Sequence, residues 1–377
     1  MNKSSLHFLE HLSDIPGPSG FEREVALAIR DYVQPHVDNM ATDKMGSLVF
    51  TKRGSTDSPT ILLPGHIDEI GFVITSINPD GCISFNNLGY WSDYTLAGQR
   101  VQLMTRKCMV RGVIVSPPPP HVSDKNGGRP SLQNMQIDIG ASNKEEVVEM
   151  GVRPGDAVVP ESKFFTAVKP RFRNGIREGE RTLAFGKALD NRIGAYLAAE
   201  LMRTLAEGRI GHPNVLVGAA TVQEEVDERG ARTVANMVRP DLALVLDVDM
   251  AGDVPGMTAQ QAPSKMGEGV TITVWDSYMI PNQPLKELCI RTCEEKGIPY
   301  QLSYSKGGTD AGSIHMSNIG VPSIVLGPAV RHIHTHVGIV DLADVEATLR
   351  LLVELVQVLD AKTVESLTSI GGLKCGL

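Results

Sequence analysis

Apolar residues at helical spacing open the chain and predict two amphipathic helices. The first covers residues 6–12, and the second covers residues 25–33 after a break rich in Pro and Gly at residues 16–20. Leu, Ile and Val recur three or four positions apart in both segments, which is the spacing of one helix face. Ser19 is the expected N-cap of the second helix, because its hydroxyl can accept a backbone N–H.

Short β-branched stretches bounded by Gly, Pro or Asp predict strands after these helices. Three of them are residues 47–51, 60–63 and 71–76. From residue 77 to residue 168 the chain continues with short strands, such as residues 100–104 and 108–115, and has almost no helical period. The Pro117–Pro120 run within it is expected to be an exposed loop. This pattern of short strands predicts a small all-β domain.

Helices and strands alternate from residue 190 onwards. The expected order is helix 190–207, strand 215–222, helix 229–238, strand 242–247, helix 283–296, strand 323–326 and helix 345–359. Such alternation predicts an α/β fold, a three-layer sandwich around a mixed, largely parallel sheet. We expect residues 1–76 and 169–377 to form this catalytic domain, with residues 77–168 inserted as a β-barrel-like domain.

The composition narrows the possible partners. The chain has 377 residues, of which 42% are hydrophobic, and this is enough for two domains with cores. A formal net charge of −8 gives no reason to expect nucleic acid or an anionic membrane as a partner. The start lacks a secretory apolar core, and no run approaches the roughly 18 apolar residues of a membrane span. Five cysteines, without a Cys-x-x-Cys pair, fit a reducing compartment, so we expect a cytoplasmic protein.

Histidines and carboxylates occur just after strand-like runs, where side chains can meet in a crevice beside the sheet. They are His66 with Asp68, Asp190, Glu224 with Glu225, Asp247, and His334 with His336. Taken singly, each has a simpler interpretation: a hydrogen-bonded histidine, an N-cap for Asp190, or a solvated acid. Together, two histidines and three carboxylates suffice to hold two ions of zinc, cobalt or manganese.

The spacing of these residues suggests different roles. A carboxylate can give one oxygen to each of two metals about 3.5–4 Å apart, and Asp190 is the natural candidate for this bridge. In an extended chain His66 and Asp68 point to the same side, so Asp68 can accept the second ring proton of His66. The two adjacent acids can divide the work, with Glu225 binding metal and Glu224 moving a proton from water to the leaving amine.

Seven ordered motifs closely resemble the TET-type dinuclear metalloaminopeptidases, a family that includes glutamyl and deblocking aminopeptidases. The motifs are Pro16-Gly-Pro-Ser-Gly20, Gly65-His-Ile-Asp-Glu-Ile-Gly71, Lys187-Ala-Leu-Asp-Asn-Arg192, Gln223-Glu-Glu225, Asp247, Gly307-Gly-Thr-Asp-Ala311 and Arg331-His-Ile-His-Thr335. The resemblance covers nearly the whole chain. It implies a zinc-peptidase-like fold and two divalent metal ions per subunit, zinc or cobalt.

The same resemblance implies a role for each site residue. One metal would be held by His66 and Asp247, the other by Glu225 and His334, with Asp190 shared, Glu224 as general base and Asp68 supporting His66. Gly308, Thr309 and Asp310 would line the substrate site, although a helix-capping turn is an equal interpretation of Thr309 and Asp310. The Asp190–Asn191 peptide bond would be cis.

Three positions stay open in this comparison. Many family members have a Glu four residues after the last metal-binding His, where this chain has Gly338. The additional His336 could therefore ligate in place of His334. Asp249 could attract the free amine of a substrate, although a solvated loop acid is the simpler interpretation.

The activity implied is hydrolysis of N-terminal residues from peptides by a water that two metals activate and Glu224 deprotonates. One alternative is an endo-β-glucanase, a name that some relatives have carried. Glycosidases need two carboxylates flanking the scissile bond and no bridged metal pair. Another alternative is a non-catalytic assembly protein, which would have lost Glu224 or a ligand, and none is lost.

The resemblance also implies a homo-oligomer. In the family the inserted domain pairs subunits into dimers, and six dimers build a dodecamer with enclosed active sites. An insert that only covers the crevice as a lid is the alternative. On either view the insert itself is expected to add nothing obvious to the metal site.

Overall fold

A large mixed sheet and a separate small barrel contain the strands of this protein. The computed structural model describes residues 1–116, 131–173 and 175–369, so the expected loop at Pro117–Pro120 and Cys375 lie outside the described residues. The described strands are β1 (Asn39–Thr42), β2 (Leu48–Arg53), β3 (Thr60–His66), β4 (Gly71–Ile77), β5 (Ile83–Leu88), β6 (Arg100–Met104), β7 (Met109–Val115), β8 (Gln136–Asp138), β9 (Ala157–Pro160), β10 (Phe165–Arg173), β11 (Ile176–Gly186), β12 (Val215–Thr221), β13 (Leu242–Leu246), β14 (Asp249–Met250), β15 (Val270–Trp275), β16 (Tyr300–Tyr304), β17 (Ser323–Arg331) and β18 (Gly338–Asp341).

Helices cover both faces of the large sheet. The described helices are α1 (Lys3–Asp14), α2 (Arg23–Val33), α3 (Lys144–Glu149), α4 (Leu189–Gly208), α5 (Arg229–Val238), α6 (Gln283–Lys296), α7 (Asp310–His315), α8 (Leu342–Val358) and α9 (Ala361–Thr368). One apolar core lies between the sheet and α1, α2, α4, α6 and α8, and a second core lies between the sheet and α5 and α7. None of these helices is long and apolar enough to cross a membrane.

The centre of the large sheet is parallel. Its strand order is β1-β2-β12-β3-β13-β17-β18-β11-β10, and β12, β3, β13 and β17 pair in parallel. The strands β12 and β13 are buried at every position, as expected for strands covered on both faces. The prediction of an α/β sandwich around a mixed sheet with a small β-barrel-like unit is therefore confirmed, although the short helix α3 lies between two barrel strands, where no helix was expected.

The small unit is a closed antiparallel barrel of β4-β5-β8-β7-β6-β9. Its core includes Phe72, whose ring centroid lies 5.0 Å from that of Phe85 and 5.0 Å from that of Trp91. The domain limits at residues 77 and 168 stay a prediction, but strand pairing places both limits several residues closer to the N-terminus. Strand β4 pairs with β5 and β9, and β10 pairs with β11 in the large sheet.

Two details of the local structure differ from the sequence prediction. Ser19 does not cap α2, which begins after Glu22 without a side-chain cap, because the Ser19 hydroxyl donates instead to Asp68. The long hairpin β10–β11 was not predicted, since its charged and aromatic residues do not alternate cleanly between an apolar and a polar face. Both differences arise from tertiary contacts.

Candidate metal centre

The candidate ligands lie along one edge of the parallel strands. Strand β3 ends at His66, β12 ends at Thr221 shortly before the two glutamates, and Asp247 directly follows β13. The carboxyl ends of parallel strands lie at the same edge of a sheet, so side chains from distant parts of the chain meet there. Helix α4 brings Asp190 to this edge, and the turn after β17 brings His334.

Asp190 faces both histidines. Its Oδ1 lies 3.3 Å from Nε2 of His66, and its Oδ2 lies 3.3 Å from Nε2 of His334. Asp190 has an extended ψ of 106° at the start of α4, and none of the described hydrogen bonds runs from a backbone N–H to its carboxylate. The carboxylate therefore faces the two histidines and does not cap the helix. The Asp190–Asn191 peptide bond is cis, as the resemblance implied.

The remaining carboxylates divide between the two histidines. Oε2 of Glu225 lies 3.5 Å from Nε2 of His334, and Oε2 of Glu224 lies 3.6 Å from Nε2 of His66. Possible ligand atoms of His66, Glu224 and Asp247 lie within 4.8 Å of one another. Each histidine thus has its own group of acids.

A third group of possible ligand atoms connects the two. Atoms of His66, Asp190 and Glu225 also lie within 4.8 Å of one another. Glu224 and Glu225 are 12% and 4% exposed at their side chains, which excludes a solvated acid pair.

The electrostatics of this site call for added positive charge. Burial and neighbouring carboxylates raise the pKa of Glu225 to about 8, and raise those of Glu224 and Asp247 well above their ordinary values. Although burial alone would lower it, the surrounding acids raise the pKa of His334 to about 9. Four carboxylates against two histidines leave the site with excess negative charge. The donors and their charge fit divalent cations.

Asp68 supports the site from behind. Nδ1 of His66 lies 3.2 Å from the Asp68 carbonyl oxygen and 3.4 Å from its Oδ1. The fully buried carboxylate also accepts the backbone N–H groups of Glu224 at 2.9 Å and Glu225 at 3.1 Å, and the hydroxyl of Ser19 at 2.7 Å. One acid therefore orients a candidate ligand and the segment that carries both glutamates.

A second buried acid, Glu69, was not singled out by the sequence analysis. Nζ of Lys187 lies 2.6 Å and 2.8 Å from its two carboxylate oxygens, and its Oε1 accepts the N–H of Gly17 at 3.0 Å. Nη2 of Arg192 lies 3.5 Å from the same oxygen. This network ties the end of β3 to the start of α4. The available signal was that Glu69, Lys187 and Arg192 belong to two of the sequence motifs.

His336 and Asp249, whose roles the sequence left open, are both buried in the structure. His336 is buried against the ring of Trp91, with centroids 5.1 Å apart, and burial lowers its pKa to about 4. In the described contacts its ring nitrogens have no hydrogen-bond partner, whereas His334 faces two candidate ligands. Asp249 is buried and accepts a hydrogen bond from Ser264, so the interpretation as a solvated loop acid is wrong.

The predicted substrate residues lie around a cavity of about 360 Å³ above the metal ligands. Gly308 and Thr309 line it, and Thr309 also caps α7 by accepting the N–H of Ala311 at 3.3 Å. Asp310 does not line it. Its buried carboxylate accepts the hydroxyl of Thr221 at 2.5 Å, and burial raises its pKa to about 7. The geometry places Asp310 beneath the site.

The inserted barrel contributes directly to this site, which corrects the expectation that it would not. Nδ1 of His334 lies 3.0 Å from the carbonyl oxygen of Tyr90, which follows β5. Since that oxygen can only accept, His334 donates its Nδ1 proton and presents Nε2 to the acids. A Cβ on Gly89 would lie 3.1 Å from Oε2 of Glu225. No local sequence pattern predicts these contacts, because they join segments that are distant in the chain.

Sequence comparison relates this chain to aminopeptidases. The family profile described as M42 glutamyl aminopeptidase matches residues 46–351. The chain is similar to the glutamyl aminopeptidase of Lactococcus lactis, with 32% identity over 88% of this chain and 90% of that protein.

Solved structures similar to this chain include two TET peptidases and one protein described as an endoglucanase. A TET aminopeptidase from a marine sediment Thaumarchaeota archaeon is 46% identical, with a TM-score of 0.91 over 97% of this chain and 99% of that chain. The Pyrococcus horikoshii TET1 peptidase, which can assemble into a tetrahedron or a large octahedral shell, is 28% identical, with a TM-score of 0.79 over 94% and 100% of the chains. A Thermotoga maritima protein described as an endoglucanase is 29% identical, with a TM-score of 0.74 over 96% and 99%.

Proposed function

The chain belongs to the M42 glutamyl aminopeptidase family, and we propose that it releases N-terminal residues from peptides with a two-metal centre and Glu224 as general base. The observation that carries the proposal is the position of Asp190, whose two oxygens face two different histidines at equal distance. This is the arrangement that a carboxylate shared by two ions requires.

The residues that would hold the ions follow from the two groups of acids. His66 and Asp247 would hold one ion, His334 and Glu225 the other, and Asp190 would contact both. Zinc or cobalt suits this mixture of imidazole and carboxylate. When bound, the ions supply Lewis acidity toward the peptide carbonyl and balance the negative charge of the site.

Glu224 is the group that moves the proton. It lies at the cavity wall and is 12% exposed, so a water molecule in the cavity can reach it. Glu224 accepts a proton as the water attacks the carbonyl carbon and then gives this proton to the leaving amine. Asp68 holds the Glu224 backbone in place, while Gly308 and Thr309 contact the substrate.

Two other functions are less well supported. A glucanase would use a pair of carboxylates that flank a sugar bond without histidines between them. Here each cluster of acids is organised around an imidazole nitrogen. A non-catalytic assembly protein would not need the Glu224 carboxylate, since only the backbone N–H of Glu224 takes part in the supporting network around Asp68. The relative described as an endoglucanase therefore does not change the proposal.

We propose further that the chain acts as a homo-oligomer in the cytoplasm, as dimers that build a dodecamer. The assembly of the Pyrococcus horikoshii relative supports this, and so do apolar side chains that this chain exposes on hairpin β10–β11. Phe172 is 60% exposed and Ile176 is 70% exposed there. Burying such residues between subunits would be favourable. Light scattering tests it: a particle of one chain would contradict assembly and favour the lid.

The activity itself is tested with a panel of aminoacyl nitroanilides and short peptides. We expect the metal-loaded protein to release the first residue of peptides with a free N-terminus, and to leave N-acetylated copies intact. A chelator should abolish turnover, and zinc or cobalt should restore it. Cleavage of internal peptide bonds, or release of reducing sugar from β-glucan that survives the chelator, would overturn the proposal.

A further inference from the structure

The charge of the substrate cavity points to a class of N-terminal residue. Apart from the candidate ligands and Glu224, four acids line the cavity: Asp227, Glu228, Asp249 and Asp276. Among the described residues no Lys or Arg lines it. A site that binds an acidic side chain would need such a cation as its partner.

Three of these four acids lack a compensating ion pair. Asp227 is exposed and its Oδ2 lies 3.2 Å from Nη2 of Arg232. Glu228, Asp249 and Asp276 are 8%, 8% and 2% exposed, and the described part of the chain contains no ion pair to any of them. Their negative charge therefore acts on whatever enters the cavity.

The proposed metal ions do not neutralise the negative charge of these cavity acids. Two divalent cations balance the four carboxylates at the centre, since ligating histidines are neutral. The free ammonium group of a peptide substrate then meets one further acid. At least two buried carboxylates remain without a cation as partner among the described residues, and a buried charge that no opposite charge balances is costly.

The cavity wall also suits a long aliphatic stem. The ring of Tyr278 lies against Gly308 so closely that a Cβ there would be 1.8 Å from Cδ2 of the ring. Tyr278 is 64% exposed and forms part of the cavity wall. A lysine stem packs well on such a surface, and its ammonium is attracted by the face of an aromatic ring.

We propose that this aminopeptidase prefers peptides with a basic N-terminal residue, Lys or Arg, and discriminates against Asp and Glu. Asp249 is the specificity-determining acid. It lines the cavity beside the ligand strand and accepts the hydroxyl of Ser264, whereas the carboxylate of Asp276 is tied to the backbone by the N–H groups of Tyr278 and Met279 at 2.7 Å and 2.6 Å. The inference rests on the proposed peptidase function and adds its substrate class.

Paired substrates isolate the effect of charge. We expect kcat/KM for lysyl nitroanilide to exceed that for norleucyl nitroanilide, and the value for glutaminyl to exceed that for glutamyl, each by about 10- to 100-fold. The Asp249→Asn variant should bring the lysyl-to-norleucyl ratio close to one. Lys306→Ala is the matched control, because Lys306 is exposed, lies between two cavity-lining residues and should leave both ratios unchanged.

Binding gives a second readout that does not depend on turnover. Calorimetry of the metal-loaded protein should show that free lysine binds more tightly than norleucine, and that Asp249→Asn removes the difference. A glutamyl substrate preferred over glutaminyl, or a lysyl-to-norleucyl ratio that Asp249→Asn leaves intact, would overturn the inference. Absence of turnover with every nitroanilide would instead contradict the peptidase function, and the lysine calorimetry would still test the charge of the cavity.

Discussion

Replacing Gly89 with alanine should weaken metal binding from within the barrel. A Cβ at this position would lie 2.5 Å from Cγ2 of Ile70 and 3.1 Å from Oε2 of Glu225. Carbon atoms in favourable contact are about 3.5–4.0 Å apart, so Ile70 would have to give way by roughly 1 Å. The added methyl group therefore presses on Glu225, a candidate ligand of the second metal, and on Ile70.

The size of the effect follows from two contributions. Overpacking of a well-packed region costs about 1–3 kcal/mol. Gly89 has a φ of 77°, in the left-handed region, where alanine costs about 1–2 kcal/mol more than glycine. Gly98 provides a matched control on the same barrel, since its φ is 84° and a Cβ there would meet nothing within 4 Å.

Calorimetric titration of the metal-stripped variants with zinc separates the two contributions. If the overpacking cost falls on Glu225, the Gly89→Ala variant should bind the more weakly held of its two zinc ions about 5- to 150-fold less tightly than the Gly98→Ala variant does. Both variants should share the loss of stability that comes from φ alone. Equal zinc affinities in the two variants would refute the reasoning that the barrel helps to position the metal centre.

Two further predictions concern the centre and its support. Glu224→Gln should keep its metal content and lose about 10²–10⁴-fold in turnover, as expected for a general base. Asp190→Asn should instead release metal, because an amide is a poor bridge between two cations. Elemental analysis measures the metal content, and equal metal loss in both variants would contradict these roles. Lys187→Met should lower the free energy of unfolding by up to about 3–5 kcal/mol, because the buried charge of Glu69 loses its nearest cation and keeps only Arg192, 3.5 Å away. Denaturant unfolding measures this, and Lys187→Met with Glu69→Gln together should recover part of the loss.

The chemistry of the site was accessible from the sequence because its residues follow strands or begin a helix. His66, Asp190 and Asp247 each stand directly after or before a regular element, and their residue types restrict the possible chemistry. The alternation of helices and strands likewise predicts the sheet on which they meet. Local pattern and residue type therefore determined most of the candidate ligand set.

The rest depended on contacts between distant segments. The hydroxyl of Ser19 suits a helix cap by local rules, and only the fold shows that it donates to Asp68. The contact of Tyr90 with His334 joins the barrel to the last strand region and involves a backbone oxygen, which any residue type could supply. Sequence patterns carry no record of such an interaction.

The supporting ion network shows the same limit. Glu69 and Lys187 are 118 positions apart and fully inside the protein, where charged residues are rare unless paired. Their presence in motifs suggested chemistry, but the structure uses them to hold two chain segments together. A charged residue inside a motif can thus have a structural role that positions the reacting groups.

Anomalous X-ray diffraction from crystals of the metal-loaded protein tests the central claim most directly. We predict two anomalous peaks about 3.5–4 Å apart, one beside His66 and Asp247 and one beside His334 and Glu225, with one oxygen of Asp190 next to each. A single peak at full metal loading, or two peaks of which only one contacts Asp190, would contradict the shared-carboxylate centre.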